Sequence, residues 1–439
     1  MKERIFTSIF IFLTIQICYS QSFNRSKLDS FFQVLDTNNK FMGSVSISQN
    51  GDLLYSKSIG YSDVATKTKA NENSKYRIGS ISKTFTAVLV FIAIEDNKFQ
   101  LTTTLDKYFP TIINAEKITI GQLLSHRSGI HSFTNDPDYL TWNTQKKTEK
   151  ELVEIIRKGG SDFKPDSTAE YSNSNYVLLS YILQKTYKKE FAEILKVKII
   201  DPLGLVNTYF GKKINLGNNE CSSYKFLGDW VKESETDMSV PLGAGAIVST
   251  PYDLTKFAQA LFNEKIISST NLNIMKTIKD NYGMGLLQIP FYDKISYGHT
   301  GGIDGFSSFF GYFPDDKISF ALTSNGTNYT QKGILMAILS SVYNKPYETP
   351  NFINYELITE ELDIYIGIYS STDIPIKITI TKKNKTLVAQ ATGQSEFGLE
   401  ATEKDKFKFD QAGVVLEFNS TEKQMILKQG GGTYLFTKE

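Results

Sequence analysis

Two residues near position 80 combine a potential nucleophile with a potential base. Ser80 and Lys83 stand three residues apart, just before the apolar stretch Phe85 to Ile94. Residues i and i+3 share a helix face, so the Lys83 amine can reach the Ser80 hydroxyl. Desolvation against an apolar helix lowers the pKa of an amine, and a helix N-terminus favours developing negative charge. The spacing therefore predicts an activated serine, although an N-capping serine near a lysine gives the same pattern.

A second pair, Tyr171 and Asn173, lies two residues apart just before a predicted helix. Both side chains could project into one cleft. Tyr171 could accept a proton if nearby Lys83 lowers its pKa, and Asn173 could hold a substrate amide together with the Lys83 ammonium. The alternative for Tyr171 is a loop tyrosine whose ring packs on the core.

A third group, His299, Gly301 and Gly302, lies on a predicted strand. Glycine inside a strand costs stability and usually marks a close approach of backbone or ligand. We therefore expect this strand to line the same cleft and to donate a backbone N–H group to an oxyanion. The alternative for His299 is a histidine that only hydrogen-bonds within the strand.

The elements that must position these residues follow from the hydrophobic patterns. A hairpin is predicted around Gln49 to Asp52, a buried helix over Ser80 to Glu95, and mostly helical structure over about 101–240. Thr250, followed by Pro251, is a predicted helix start. Further along the chain we predict strands over Ile295 to Phe313 and Ile318 to Ser324, joined at Pro314 to Asp316, and a helix over Gln331 to Val342.

The pattern of hydrophobic residues changes after Pro346 and Pro350. Short alternating segments such as Ile376 to Ile380 recur every ten or so residues, with turn residues between them. An antiparallel barrel or a sandwich of about eighty-five residues fits this pattern equally well.

The N-terminus is typical of a cleavable signal peptide. Lys2 and Arg4 precede the mostly apolar stretch Ile5 to Ile17, and small residues precede a cut after Ser20. This stretch is too short to span a bilayer, so a membrane anchor is the less favoured alternative. We expect a secreted or periplasmic protein, with no membrane span in the mature chain. Cleavage removes one of the two cysteines, and Cys221 then has no disulfide partner.

Composition excludes several classes of protein. The 439 residues are 41% hydrophobic and 22% charged, which is typical of a globular protein and not of a disordered one. A formal net charge of +1, without a basic stripe, gives no reason to expect nucleic-acid binding. His126 and His131 are five residues apart and have no recognisable metal spacing. We assign no metal and no other cofactor, and expect His126 to stabilise its loop.

The ordered set Ser-x-x-Lys, Tyr-x-Asn and His-x-Gly resembles that of the penicillin-recognising serine hydrolases. The nearest branch contains class C β-lactamases, D-alanyl-D-alanine carboxypeptidases and related esterases. The segments Leu123 to Ile130 and Gly243 to Thr250 also resemble family segments, with a departure at Arg127. His299 departs as well, because β-lactamases usually carry lysine there. The resemblance covers roughly Ser30 to Val342, and the terminal β region loosely resembles a lipocalin-like domain.

The resemblance implies an α+β fold. An antiparallel sheet is flanked by helices and carries a mostly helical inserted subdomain, and a small antiparallel β-barrel follows at the C-terminus. We divide the chain into a signal peptide (1–20), a hydrolase domain (21–345), a linker (346–354) and a barrel domain (355–439).

The resemblance also implies a role for each site residue. Ser80 would form an acyl-enzyme, Lys83 and Tyr171 would transfer protons, and the backbone N–H groups of Ser80 and Gly302 would bind the oxyanion. Asn173, together with His299 and Gly301, would bind the substrate. Because a histidine binds a carboxylate less firmly than a lysine at pH 7, we expect inefficient turnover of β-lactams.

We therefore expect an exported serine hydrolase that cleaves an amide or ester in a small molecule or peptide, with peptidoglycan fragments among the candidate substrates. One alternative is a catalytically silent, penicillin-binding-like sensor that has kept the cleft. Another places the function in the β domain, as a carrier of an apolar ligand.

Overall fold

The computed structural model describes residues 23–352, 355 and 358–439. The predicted signal peptide and part of the predicted linker lie outside the described residues. In the described part of the chain, no helix is long and apolar enough to cross a bilayer. The α-helices are α1 (Arg25–Thr37), α2 (Ser82–Glu95), α3 (Ile120–Leu124), α4 (Tyr139–Trp142), α5 (Glu149–Gly159), α6 (Asn173–Tyr187), α7 (Phe191–Leu195), α8 (Asp201–Leu203), α9 (Pro251–Phe262), α10 (Ser269–Met275) and α11 (Gln331–Val342).

Strands occur at both ends of the predicted hydrolase domain (21–345), and short strands occur between them. They are β1 (Phe41–Gln49), β2 (Asp52–Ile59), β3 (Tyr61–Asp63), β4 (Thr68–Lys69), β5 (Tyr76–Arg77), β6 (Tyr209–Phe210), β7 (Tyr224–Phe226), β8 (Trp230–Lys232), β9 (Ile247–Ser249), β10 (Leu287–Phe291), β11 (Lys294–Ile303), β12 (Phe306–Phe313) and β13 (Ile318–Thr327). The segment 101–240 contains α3 to α8 together with the short strands β6 to β8.

The main sheet is antiparallel and has six strands in the order β10-β11-β12-β13-β1-β2. Its central strands β1 and β13 are buried along almost their whole length, because helices cover both faces. On one face α1 and α11 pack on side chains such as Val45 and Ile47. On the other face α9 packs against β1, β12 and β13, and α2 joins the same core. The predicted α+β class is therefore confirmed.

The predicted buried helix is confirmed as α2, but it begins later than expected. Ser80 lies in a 3-10 turn, Gly79–Ile81, and the α-helix starts at Ser82. The backbone N–H group of Ile81 donates to the carbonyl of Ile78, and this i to i+3 bond tightens the chain before the helix.

The sequence identified one hairpin of the main sheet and missed another. The predicted hairpin is confirmed, since β1 and β2 are joined at Asn50 and Gly51, both of which have positive φ. The prediction of a single strand over Ile295 to Phe313 was wrong. This stretch folds as the hairpin β11–β12, with its turn at Asp304 and Gly305. The Asp304 carboxylate accepts hydrogen bonds from Thr236 and Arg77, which hold the turn in place.

The C-terminal strands close into a barrel of eight strands, which decides between the barrel and the sandwich. Neighbouring strands pair antiparallel throughout, and β21 closes on β14. The strands are β14 (Gly367–Ser370), β15 (Lys377–Lys383), β16 (Thr386–Ala391), β17 (Phe397–Glu403), β18 (Lys406–Phe409), β19 (Val414–Asn419), β20 (Gln424–Gln429) and β21 (Gly432–Lys438).

We predict that the core between α2 and α9 tolerates little change. Phe85 and Phe257 are fully buried and stack with a ring-centroid distance of 3.8 Å. Phe257→Ala should lower the free energy of unfolding by about 3–5 kcal/mol, measured by urea denaturation. Tyr252 lies on the same helix but is 42% exposed, so Tyr252→Ala is the control and should cost less than about 1 kcal/mol. Equal effects of the two substitutions would contradict the prediction.

Candidate active site

The turn that carries Ser80 depends on a glycine. Gly79 has a φ of +50°, and a Cβ atom there would lie 2.7 Å from the backbone nitrogen of Gly302. A side chain at position 79 would therefore be strained and would also collide with β11. This contact holds the Ser80 turn against the strand that carries Gly302.

Lys83 is fully buried, and its amine has three hydrogen-bonding partners. Nζ lies 3.1 Å from Ser80 Oγ, 2.7 Å from Asn173 Oδ1 and 2.8 Å from the Ala244 carbonyl oxygen. Among the described residues, no carboxylate pairs with it. Burial without a counter-charge lowers the pKa of Lys83 well below its usual value.

The three partners define where the lone pair of a neutral Lys83 amine points. Asn173 Oδ1 and the Ala244 carbonyl can only accept hydrogen bonds, so they take the two amine hydrogens. The lone pair is then directed to the remaining partner, the Ser80 hydroxyl. This arrangement can accept a proton from Ser80.

Two residues on the segment that precedes α4 fix the orientation of Asn173. Its Nδ2 donates to Thr134 Oγ1 over 2.8 Å, and its backbone N–H group donates to Ser132 Oγ over 3.1 Å. With Nδ2 held by Thr134, the amide oxygen faces Lys83. Asn173 is the first residue of α6, so its backbone N–H group is one that the helix itself leaves unpaired.

Tyr171 lies beside both Ser80 and Lys83. The Lys83 amine is 4.8 Å from the centroid of the Tyr171 ring. Burial raises the pKa of Tyr171, and a hydrogen bond with Ser80 offsets only part of the shift. The condition under which Tyr171 would accept a proton, a pKa lowered by Lys83, is not met, because desolvation disfavours the charged phenolate. Tyr171 therefore carries its proton at neutral pH.

The ring of His126 packs against the ring of Tyr171. Its Nδ1 accepts a hydrogen bond of 3.1 Å from the backbone N–H group of Ser172, and its ring centroid lies 4.5 Å from that of Tyr171. Burial, with smaller contributions from nearby Lys83 and His299, lowers the pKa of His126 well below its usual value. A neutral His126 is thus part of the wall on which Tyr171 rests.

His299 is buried on β11, with its ring centroid 6.4 Å from that of Tyr171. Its Nδ1 is 2.6 Å from the Thr300 carbonyl oxygen, an acceptor, so Nδ1 carries the ring proton. Burial, and to a smaller extent Lys83, lowers the pKa of His299 to about 4. His299 therefore provides no positive charge at neutral pH.

Gly301 and Gly302 bring β11 against the Ser80 turn. A Cβ atom at Gly301 would lie 2.0 Å from the Ile78 carbonyl oxygen, which already accepts a hydrogen bond from Ser308 Oγ. At Gly302 a Cβ atom would lie 4.0 Å from the Phe306 carbonyl oxygen, which is an ordinary contact distance. The structure thus brings all seven predicted site residues together, with Gly302 at the edge of the cleft.

A cavity of about 300 Å³ opens beside Ser80. Its only charged lining groups among the described residues are the carboxylates of Glu233 and Asp304. Asp304 is paired with buried Arg77 over 2.9 Å. The residues that line it are Ser80, Phe133, Thr134, Tyr139, Leu140, Asn143, Asn173, Glu233, Ser234, Thr236, Pro241, Ala244, Gly245, Gly302, Ile303, Asp304 and Ser395.

Comparison with known proteins identifies the family. The sequence model of the Beta-lactamase family matches residues 29–341. The chain belongs to the β-lactamase family. This match spans the main sheet, its helices and all seven site residues, and it confirms the resemblance drawn from the sequence.

Two relatives are similar over most of the chain. Penicillin-binding protein 4* of Bacillus subtilis (strain 168) is 27% identical over 447 residues, covering 93% of this chain and 97% of that protein. Teichoic acid D-alanine hydrolase of Staphylococcus aureus is 28% identical over 344 residues, covering 74% of this chain and 80% of that protein. The family relationship therefore includes an enzyme named as a hydrolase.

Solved structures share the fold. The octameric penicillin-binding protein homologue from Pyrococcus abyssi superposes with a TM-score of 0.65 at 25% identity, covering 94% of this chain and 100% of that chain. D-amino acid amidase from Ochrobactrum anthropi SV3, complexed with L-phenylalanine amide, superposes with a TM-score of 0.64 at 24% identity, covering 73% and 98%. At that identity, the amidase comparison supports the fold alone.

Several residues that shape the site were not found from the sequence. Gly79, Ser132, Thr134 and the Ala244 carbonyl all position predicted residues, but none of them belongs to a motif with a chemical signature. Gly79 carried a usable signal, since a glycine directly before a nucleophile often marks a strained turn. The other three act through contacts between segments distant in the sequence.

We predict different titration behaviour for the three histidines of the chain. Although partial burial lowers the pKa of His131, the carboxylates of Asp162 and Asp136 raise it above the usual value. In ¹⁵N-histidine NMR spectra, His131 should titrate at a higher pH than a free histidine, whereas His126 and His299 should titrate at a lower pH.

The raised pKa of His131 predicts that the free energy of unfolding depends on pH. Protonated His131 should stabilise the fold at low pH, and this contribution should be lost as the pH rises through its raised pKa. His131→Asn should remove the single titrating signal and flatten that dependence. Titration of His299 near neutral pH would contradict the burial argument.

Proposed function

We propose that this protein is a serine hydrolase that cleaves esters or amides through an acyl-enzyme on Ser80. The observation that carries the proposal is the buried Lys83 amine, which lies 3.1 Å from Ser80 Oγ with no carboxylate partner among the described residues. A neutral amine in this position is a general base for the serine hydroxyl.

In the first half of the reaction, the Ser80 proton moves to Lys83 Nζ while Oγ attacks the substrate carbonyl. The oxyanion that forms is stabilised by the backbone N–H groups of Ser80 and Gly302. The bond to the leaving group then breaks, and the leaving group takes a proton. The protonated phenol of Tyr171 supplies that proton, and the Lys83 ammonium restores it.

In the second half, a water molecule attacks the acyl carbon and gives its proton to neutral Lys83. The bond between the acyl carbon and Ser80 Oγ breaks, and Lys83 returns a proton to the serine. Asn173 holds both the lysine amine and the acyl group during these steps. Tyr171 therefore acts as a proton donor and relay, and Lys83 is the resting base.

The charges of the site favour acyl donors without a carboxylate. His299 is neutral and already donates to the Thr300 carbonyl, and the cavity beside Ser80 carries Glu233 and Asp304. One relative is named teichoic acid D-alanine hydrolase. We infer that D-aminoacyl and other small esters and amides are the substrates, and that C-terminal carboxylates are poorly recognised.

We further propose that the enzyme acts after export, as a secreted or periplasmic protein. The support is the sequence pattern of residues 1–20, with basic residues before an apolar stretch and small residues before Ser20.

The acyl-enzyme can be tested by labelling with a fluorophosphonate and mass mapping. The adduct should be on Ser80 and should be absent in Ser80→Ala. Ser234→Ala is the matched control: Ser234 lines the same cavity, it has no hydrogen bond to a lysine among the described residues, and its loss should leave the adduct. A folded protein with no adduct on Ser80 would overturn the proposal. A stable adduct from substrates, without product release, would instead support a silent sensor.

The role of Lys83 predicts the pH profile. Because the neutral amine is the active form, kcat/KM should rise with pH through the pKa of Lys83, which burial holds well below its usual value. Lys83→Arg keeps a positive charge that cannot be lost, so kcat/KM should fall by about 10²–10⁴. If Lys83→Arg keeps its activity and its kcat/KM still rises with pH at the acidic end of the profile, Lys83 is not the base.

The neutral state of His299 predicts a substrate preference that can be altered. His299→Lys should increase acylation by penicillins about 10–100-fold, because an ammonium forms a charge-assisted hydrogen bond with their carboxylate. His299→Gln is the neutral control and should give no increase. Stopped-flow acylation rates measure both. Equal rates in the two variants would show that charge at position 299 does not limit recognition.

A further inference from the structure

A second cavity, of about 470 Å³, lies between the hydrolase part and the C-terminal barrel. It shares Glu233, Asp304 and Ser395 with the cavity beside Ser80. Ser395 lies on the exposed turn between β16 and β17, so the barrel itself contributes to the wall of the site. The two cavities therefore adjoin along these three residues, and the space that they make up has Ser80 at one end.

The inner end of this space is the mouth of the barrel. Five buried apolar side chains of the barrel interior line it: Ile378, Ala391, Val414, Leu416 and Leu427. Deeper in the barrel, a second group of side chains fills the interior: Tyr365, Phe407, Phe418, Met425 and Phe436. The barrel is thus filled at its far end and presents an apolar recess at the end that faces the hydrolase part.

Contacts on both sides of the mouth hold the barrel in this position. Glu400 of the barrel pairs with Lys40, whose side chain is only 4% exposed. Glu396 lies 3.5 Å from Lys225, and Gln411 donates to the Thr327 carbonyl. A recess fixed in this way is preorganised for a ligand, and its volume is within the range of small-molecule sites.

The direction of the space indicates which part of a substrate enters it. Tyr171, the proposed proton donor to the leaving group, and His299 do not line the cavity beside Ser80. The cavity instead follows β11 from Gly302 to Asp304, away from that pair. The leaving group therefore belongs on the Tyr171 side, and the acyl group points towards the barrel.

We propose that the barrel mouth binds an unbranched apolar extension of the acyl group of the substrate. This inference rests on the proposed function, because it uses the acyl-enzyme to fix the direction. Between the two cavities, the carboxylates of Glu233, Asp304 and Glu396 pair with Lys225, Arg77 and Lys383, so these cations are not free to bind a terminal carboxylate. The barrel wall is apolar, so burial of each methylene should contribute to binding.

The direct test is a series of p-nitrophenyl esters whose acyl chains increase from two to ten carbons. In the full-length enzyme, kcat/KM should rise roughly two- to fourfold for each methylene that enters the recess. Ser395→Trp places a large side chain at the passage and should lower the ratio of long-chain to acetyl kcat/KM at least tenfold. A ratio unchanged in this variant would overturn the inference.

Two further variants control for effects on folding. Ser420→Trp introduces the same side chain on an exposed turn between β19 and β20, at the opposite end of the barrel, and should leave the ratio unchanged. Ala412→Trp blocks the recess from a different loop and should also lower the ratio of long-chain to acetyl kcat/KM. It therefore tests the inference even if Ser395→Trp fails to fold.

A binding measurement separates this inference from the proposed function. N-phenyl-1-naphthylamine, a neutral fluorescent probe, should bind the full-length protein and should bind at least tenfold more weakly to Ser395→Trp and Ala412→Trp. Hydrolysis of esters without chain-length dependence or probe binding would overturn the inference alone. Absence of all hydrolysis would overturn the proposed function and the assignment to an acyl group, even if the probe binds.

Discussion

The site depends on one constraint, the burial of Lys83 without a counter-charge. A cationic amine at this position would lose its hydration and gain no ion pair, which is why the pKa of Lys83 is lowered. The two acceptors that replace water, Asn173 and the Ala244 carbonyl, can be satisfied by a neutral amine. In the neutral form of the amine, the same two acceptors take its hydrogens and direct its lone pair to Ser80.

Close backbone packing makes this arrangement possible. Gly79 and Gly301 bring the Ser80 turn and β11 closer together than any side chain would allow. Hydrogen bonds from Ser132 and Thr134 fix Asn173 from the other side of the cleft. The site is thus held by short polar contacts between rigid elements, which is typical of preorganised catalytic groups.

The barrel extends this site. Its mouth adjoins the cleft, because Glu233, Asp304 and Ser395 line both cavities. The polar groups around Ser80 therefore lie next to an apolar recess. Asp304 itself links the two parts, because its ion pair with Arg77 fixes the β11–β12 turn at the junction. Specificity and catalysis would then be provided by different domains of one chain.

The sequence alone determined the features that depend only on residues close together along the chain. The Ser80–Lys83 spacing, the hairpin at Asn50 and Gly51, the Thr250 helix start and the alternating strands of the barrel each follow from local geometry, and the structure contains them all. The family match was likewise accessible, since three ordered motifs carry it.

Only the tertiary structure decided the protonation states and the shape of the cleft. The sequence allowed Tyr171 as a proton acceptor, but burial raises the pKa of Tyr171 and lowers that of Lys83. The position of the barrel mouth depends on contacts such as Lys40 with Glu400, which are 360 residues apart. Desolvation and long-range packing set these properties, and neither is encoded in the spacing of nearby residues.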